Sequence, residues 1–485
     1  MHRNVRLTPF VALLIVAIAT ILAAPATAGS GATQSEEVRW RGALAGIEFI
    51  VTFTPAEDGS GHTATIDIPA QGLSGGLLTD VLYNNTEIAF TLPIAPPNGA
   101  TWRATREASA TTAEGELEQG ANVVPFIMEL VPTGEDVGPD RPQTPEPPFP
   151  YSEREVIYTN DAEDTRLAGT LTVPPGSGPF PAALLISGSG AQNRDAEILG
   201  HKSFLVIADH LTRNGIAVLR VDDRGVGGST GDMLVATTED FASDVLAGVR
   251  FLAVQPEIDA GRIGLIGHSE GGIVAPMVAA ASDDVAFIVL LAGSAIPGRE
   301  LMVMQLAAVQ RSIGRPEDNV EHQIEVQRRL LELAGEGADL PALTDVVAEL
   351  TRIQISNVPE GQRPSTEELE PAIEAEARQL TAPWWRFFLT YDPRTALRQV
   401  RCPVLAINGS LDTQVPPGPN LGAIRNALAE AGNDDVTVEE LDGLNHLFQT
   451  ATTGSPAEYA QIEETFAPAV LDLITSWVLQ KVGGA

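Results

Sequence analysis

The sequence predicts an α/β protein, built on a mostly parallel sheet with a helical insertion and preceded by a small β-rich domain. Three observations carry this expectation. Short apolar runs alternate with helical stretches after residue 151, as in a parallel sheet with crossover helices. A proline-dense stretch, 132–150, separates that region from one without helical periodicity. Finally, residues 297–390 interrupt the strand–helix alternation with helical periodicity alone.

The 485 residues are ample for more than one domain. Asp and Glu number 64 against 30 Lys and Arg, a formal net charge of −34. Hydrophobic residues make up 44% of the chain, which excludes general disorder despite that charge. The acidity also argues against a nucleic-acid partner, because phosphate neutralisation needs clustered cations. Lys202 and Lys481 are the only lysines. An acidic, lysine-poor surface suits a saline exterior, although codon bias produces the same composition. The single cysteine, Cys402, excludes an intramolecular disulfide framework and any multi-cysteine metal site.

Residues 1–28 read as a secretory signal peptide. Arg3 and Arg6 make a basic start, 10–24 is a short apolar run, and Ala26-Thr27-Ala28 supplies small residues for cleavage. The apolar run is shorter than the ~20 residues of a membrane span. The expected product is an exported protein, secreted or periplasmic, with no membrane span after cleavage.

The β-rich domain is expected over 36–131, with strands at 46–53, 63–68 and 122–130. Prolines at 132, 139, 142, 145, 147, 148 and 150 then make an extended linker, 132–150. In the third segment, 151–485, strand-like runs fall at 182–187, 216–221, 263–267, 285–292, 403–408 and 436–441. Several lack alternation, as strands buried on both faces do. Helices are expected at 201–213 and 240–254. Inside the insertion at about 297–390 they are expected at 301–313, 320–333, 343–355 and 367–380. An all-helical insertion between two sheet strands is read as a cap over the ligand-binding edge.

The chemistry centres on Gly267-His268-Ser269-Glu270-Gly271-Gly272, which follows an apolar strand and precedes an apolar helical run. Glycines two before and two after Ser269 allow a sharp strand-to-helix turn that lifts the hydroxyl above the sheet. A serine needs a base, since its own hydroxyl is too weak an acid to attack unaided. Of seven histidines, His446 is favoured by its place directly after the final strand. Asp412, just past the 403–408 strand, is the expected orienting acid, with Asp442 as rival. Two backbone N–H groups are expected to bind a tetrahedral oxyanion. One belongs to Glu270, and the other to Ser189 in Ser187-Gly188-Ser189-Gly190, with Gly190 as the alternative. A phosphate-binding glycine loop is disfavoured, because no dinucleotide or Walker pattern is completed. Trp384, Trp385 and Arg224 are candidates for a substrate pocket. The tryptophans would equally serve to fasten the cap to the core, and Arg224 to order its own loop through an ion pair.

These runs, together with 221–229, 409–412 and 444–446, resemble the α/β-hydrolases over residues 151–485. Within that superfamily the chain is similar to secreted bacterial carboxylesterases with an N-terminal β domain and a helical cap. The resemblance implies a triad of Ser269, Asp412 and His446, in agreement with the residues themselves. Ser187 departs from the usual His-Gly start of the oxyanion loop, which bears on the second donor and not on the triad. The resulting expectation is hydrolysis of a small-molecule carboxylic ester through an acyl-enzyme, without metal or organic cofactor. A serine peptidase or aminopeptidase of the same fold is the alternative, followed by a non-catalytic binding protein.

Overall fold

In the computed structural model, residues 37–483 are described except 45–46, 57–58, 60, 69–72, 93–99, 120–121, 133–140, 357–362 and 364. Residues 1–28, read from the sequence as a signal peptide, therefore lie outside the described residues. Among those described, no helix is long and apolar enough to cross a membrane.

The N-terminal region is one antiparallel sheet of nine strands. In chain order these are β1 (Val38–Leu44), β2 (Ile47–Pro55), β3 (His62–Ile68), β4 (Leu73–Leu77), β5 (Thr79–Tyr83), β6 (Glu87–Leu92), β7 (Ala100–Thr105), β8 (Thr112–Gln119) and β9 (Asn122–Leu130). Spatially the order is β4-β3-β2-β1-β9-β8-β7-β6-β5, so the first strand pairs with the last. Alternation drives its core. On β3, Ala64, Ile66 and Ile68 point inward while their neighbours are less buried. Trp40, Phe53 and Trp102 are fully enclosed between the strands. Sequence periodicity points to three of these nine strands; the others are short or interrupted by glycine and charge.

The linker is partly pinned to the second region. Arg141 donates to the carbonyls of Ile462, Leu199 and Ala460. The Gln143 side chain donates to the Phe466 carbonyl and accepts from the amides of Thr465 and Phe466. At Arg141 and Gln143 the linker is thus held along the surface of the second region by hydrogen bonds that proline density gives no hint of.

That second region is an eight-stranded mixed sheet. It opens with an antiparallel pair, β10 (Ser152–Asn160) and β11 (Thr165–Val173), which the sequence reading did not identify. Six of the nine residues of β10 are exposed, so its pattern resembles a polar surface segment. The parallel strands follow: β12 (Phe180–Ile186), β15 (Ala217–Val221), β16 (Ile258–His268), β17 (Phe287–Leu291), β18 (Val404–Gly409) and β19 (Val436–Leu441). A two-residue pairing of β13 (Glu197–Ile198) with β14 (His201–Lys202) stands apart, which places His201 before the helix and not on it. The main order is β10-β11-β15-β12-β16-β17-β18-β19.

Helices cover both faces. On β12, Ala182, Leu184 and Ile186 pack with α2 (Thr238–Ala253), α3 (Gly271–Ala281) and α10 (Pro417–Glu430). Ala183 and Leu185 of the same strand face α1 (Ser203–Arg213) and α11 (Pro468–Val482). Two apolar faces explain why the parallel strands show no alternation.

Between β17 and β18 lie the helices of the insertion: α4 (Gly298–Ser312), α5 (Glu317–Glu336), α6 (Leu340–Ile355), α7 (Thr366–Gln379) and α8 (Pro383–Thr390), followed by the short α9 (Arg394–Leu397). They share an apolar core of their own, including Val326, Leu330, Val347 and Leu389. Ile273 of α3 and Val415, beyond β18, belong to that same cluster. The insertion therefore rests on the carboxyl ends of the parallel strands, where sheets of this type carry their sites.

Candidate active site

β16 ends at His268, and α3 begins at Gly271. Ser269 occupies the turn between them with φ +54°, a left-handed conformation rarely adopted by residues with a Cβ. The turn is held by the Ser269 amide donating to the Leu291 carbonyl and by the Gly272 amide donating to the Ser269 carbonyl, both at 2.9 Å. Two glycines make this approach possible. A Cβ on Gly267 would lie 2.0 Å from the Gly271 carbonyl oxygen, and one on Gly271 would lie 2.3 Å from that of Ile186. The spacing read from the sequence is thus a steric requirement of the turn.

Asp412 and His446 meet beside this turn. Asp412 follows the buried strand β18 and is itself fully enclosed, while its neighbour His446 is almost so. The His446 Nδ1 and the Asp412 Oδ2 are 2.8 Å apart. The other Asp412 oxygen accepts from the amides of Gln414 and Val415, at 2.8 Å each. Those amides fix the carboxylate, which in turn commits Nδ1 of the imidazole and leaves Nε2 for other partners. The His446 loop is braced by Asn445, whose side-chain oxygen accepts from the amides of Leu447 and Gln449. Phe448, fully buried against Phe466, anchors its far end. The rival acid, Asp442, accepts instead from the Ser410 hydroxyl at 3.2 Å.

His268 contributes more than its sequence position suggests. Its ring packs 4.7 Å from that of His446, and its Nε2 donates to the His446 carbonyl at 2.9 Å. Burial, with the neighbouring His446, pushes its pKa down to about 3. A neutral imidazole with its hydrogen on Nε2 then holds the backbone of the next loop.

The loop after β12 runs close under Ser269. A Cβ on Gly188 would lie 3.2 Å from the Ser269 Cβ. Gly190 has φ +94°, which lets the loop turn back. Asp223 clamps this loop at both ends. It accepts from the Ser187 hydroxyl at 2.7 Å and from the Gln192 amide at 2.9 Å. Burial raises the Asp223 carboxyl to about 7, those two hydrogen bonds oppose the rise, and the charge of Glu270 adds to it. The pairing spans 36 residues, so no local pattern reveals it.

The remaining predicted residues fall as follows. Ser189 sits in this loop. The Glu270 side chain is buried and accepts from the Thr238 hydroxyl and the Trp384 indole. Trp384 also stacks on Phe388, with ring centres 4.7 Å apart, and Trp385 packs edge-on to Trp384. Phe388 closes against Gly298, where a Cβ would meet its carbonyl at 2.4 Å. These contacts fasten α8 to the start of α4 and to the Ser269 turn. Arg224 is buried in an ion pair with Asp244 at 2.8 Å and donates to the Asp240 carbonyl at 3.0 Å. Its guanidinium orders the loop after β15.

The sequence profile of the X-Pro dipeptidyl-peptidases of the S15 family matches residues 161–430, more than half of the chain. The chain belongs to this S15 family. Its match runs from the β10–β11 turn to the end of α10 and so takes in Ser269 and Asp412 but not His446. Esterase EstD of Thermotoga maritima is 27% identical over 333 residues, covering 68% of this chain and 69% of that protein. Among solved structures, the α/β hydrolase GrgF from Penicillium sp. sh18 is 18% identical with a TM-score of 0.42. It covers 69% of this chain and all of that one. Esterase PF2001 of Pyrococcus furiosus is 15% identical with a TM-score of 0.42, covering 72% of this chain and all of its own. This S15 chain has the α/β-hydrolase architecture: a mixed sheet covered by helices on both faces, its strand–turn–helix elbow at Ser269.

Proposed function

We propose that the chain is a carboxylic ester hydrolase acting through an acyl-enzyme on Ser269. The observation that carries the reading is the buried Asp412–His446 pair beside a serine held at positive φ. In this mechanism the His446 Nε2 takes the Ser269 proton as Oγ attacks the ester carbonyl. The same nitrogen then returns the proton to the departing alkoxide. Asp412 stabilises the imidazolium formed between those steps. The oxyanion is met by the Glu270 amide and by the loop amide of Ser189, with Gly190 as the alternative donor. Each such donor contributes about 2.7–4 kcal/mol to the transition state. Water then repeats the sequence on the acyl-enzyme.

The likeness to an esterase supports ester substrates. Membership of a family named for X-Pro dipeptidyl-peptidases supports a second reading, cleavage of an amide after proline by the same residues. Turnover of short-chain p-nitrophenyl esters and of Xaa-Pro p-nitroanilides by the purified chain separates the two. The ester reading expects the esters to be the faster substrates, and faster Xaa-Pro cleavage would replace it with the peptidase. Export through residues 1–28 forms part of the proposal, and N-terminal sequencing of the mature protein tests it.

A further inference from the structure

The mechanism above uses the backbone of Glu270 and makes no use of its side chain, which is 3% exposed. Its Oε1 accepts two hydrogen bonds, from the Thr238 hydroxyl at 2.7 Å and from the Trp384 indole N–H at 2.8 Å. Its Oε2 is buried without a hydrogen bond of good geometry, and the Ser189 side chain lies within hydrogen-bonding reach of the carboxyl. Asp223 is a second acid lining the same crevice, close enough to interact with its charge. The cation of that crevice, Arg224, is engaged by Asp244 and the Asp240 carbonyl.

An ionised carboxylate in this setting would be a buried charge with no cation paired to it, next to another acid and held only by hydroxyl and indole donors. Burying such a group uncompensated is unfavourable enough that it normally keeps its proton. A neutral carboxyl fits the same surroundings: Oε1 accepts twice, and a hydrogen on Oε2 would have the Ser189 hydroxyl as an acceptor.

We propose that Glu270 is a positioning residue, a neutral carboxyl latch that ties the oxyanion donor on its own backbone to the helical insertion through Trp384. The proposal rests on the acyl-enzyme reading and deepens it. Thr238, at the start of α2, fixes one side of the latch and Trp384 of α8 the other. Seating of α8 thereby sets the orientation of the Glu270 amide. The insertion then governs how fast Ser269 is acylated, in addition to shaping what binds.

The test is the rate of covalent labelling of Ser269 by a fluorophosphonate, with kcat and KM for a short p-nitrophenyl ester. Wild type, Glu270→Gln, Glu270→Ala and Trp384→Phe are compared. Glu270→Gln retains the double acceptor and supplies an N–H where the O–H stood, so it labels within about threefold of wild type. Glu270→Ala and Trp384→Phe slow labelling and kcat by about tenfold or more, as misplacement of a reacting geometry does, while KM changes little. Trp384→Phe keeps the stack on Phe388, so it carries the test if Glu270→Ala does not fold. Labelling at the wild-type rate in Trp384→Phe, with only a lower melting temperature, overturns the proposal. So does a Glu270→Gln variant that folds and is as slow as Trp384→Phe. A wild-type chain that is not labelled at Ser269 removes the acyl-enzyme reading instead, so the two failures are distinct.

Discussion

Two carboxyls near Ser269 are held out of water, and their behaviour with pH follows from that placement. Burial pushes the Asp223 carboxyl up to about 7 and raises that of Glu270 as well. An unfolded aspartate titrates near pH 4. Between about pH 4 and 7, the folded chain therefore holds protons that the unfolded chain has released. Stability contributed by these groups is present at the acid end and is lost as pH rises through that window. The melting temperature of the wild type should fall from about pH 5 to 7 more steeply than that of Asp223→Asn. Parallel profiles would show that Asp223 is ionised throughout. At this scale the sequence is legible where chemistry and local spacing coincide, as for Ser269 in its glycine frame and for Asp412 and His446 after their strands. The side chains of Asp223, Glu270 and His268 are not legible in the same way. Their partners lie 36, 114 and 178 residues away.

The strand–turn–helix element around Ser269 depends on backbone contact closer than any side chain permits. Gly267→Ala places a methyl 2.0 Å from the Gly271 carbonyl oxygen, which neither β16 nor α3 can relieve without moving. We expect it to destabilise the fold by at least about 2 kcal/mol and to abolish labelling of Ser269, measured by urea unfolding and by the same fluorophosphonate. Unchanged stability would mean that the turn relaxes more easily than its contacts suggest. Elements with strong apolar periodicity or full burial are readable from the sequence, including β12, β17 and β18. Others are concealed by their composition. The exposed side of β10 reads as surface, and α10 opens Pro-Gly-Pro and contains Gly422, a beginning that lacks ordinary helix signals. The 383–388 aromatic run reads as either pocket or glue. The Trp384 bond to Glu270 ties the insertion to the Ser269 turn, while the Phe388 contact with Gly298 ties α8 to α4 within the insertion.

Over the whole molecule, the linker joins the β-rich sheet to the mixed sheet and also braces the latter. Arg141 and Gln143 engage the backbone at 460–466, the segment whose Phe466 packs on Phe448 just past His446. A chain beginning at residue 141 should therefore unfold at higher temperature than one beginning at residue 151, as followed by circular dichroism. Equal melting temperatures would reduce these bonds to surface contacts. The acidity of the whole chain, so prominent in its composition, has little part in the chemistry. A small set of carboxyls, Asp412 above all, lies at the proposed site, while many of the others are exposed. The alternation of apolar and helical runs makes the α/β architecture legible at this scale. The anchoring of the linker is not, because a proline-rich segment has the same composition whether it is free or pinned.

The central claim is an acyl-enzyme on Ser269, and trapping that intermediate tests it most directly. Protein quenched in acid during turnover of a slowly deacylating p-nitrophenyl ester should gain the mass of one acyl group. Peptide mapping should place that group on the peptide containing Ser269. Ser269→Ala should show no adduct and a kcat lower by about 10⁴-fold or more. An acyl group on another residue, or ester turnover that survives in Ser269→Ala, would contradict the account.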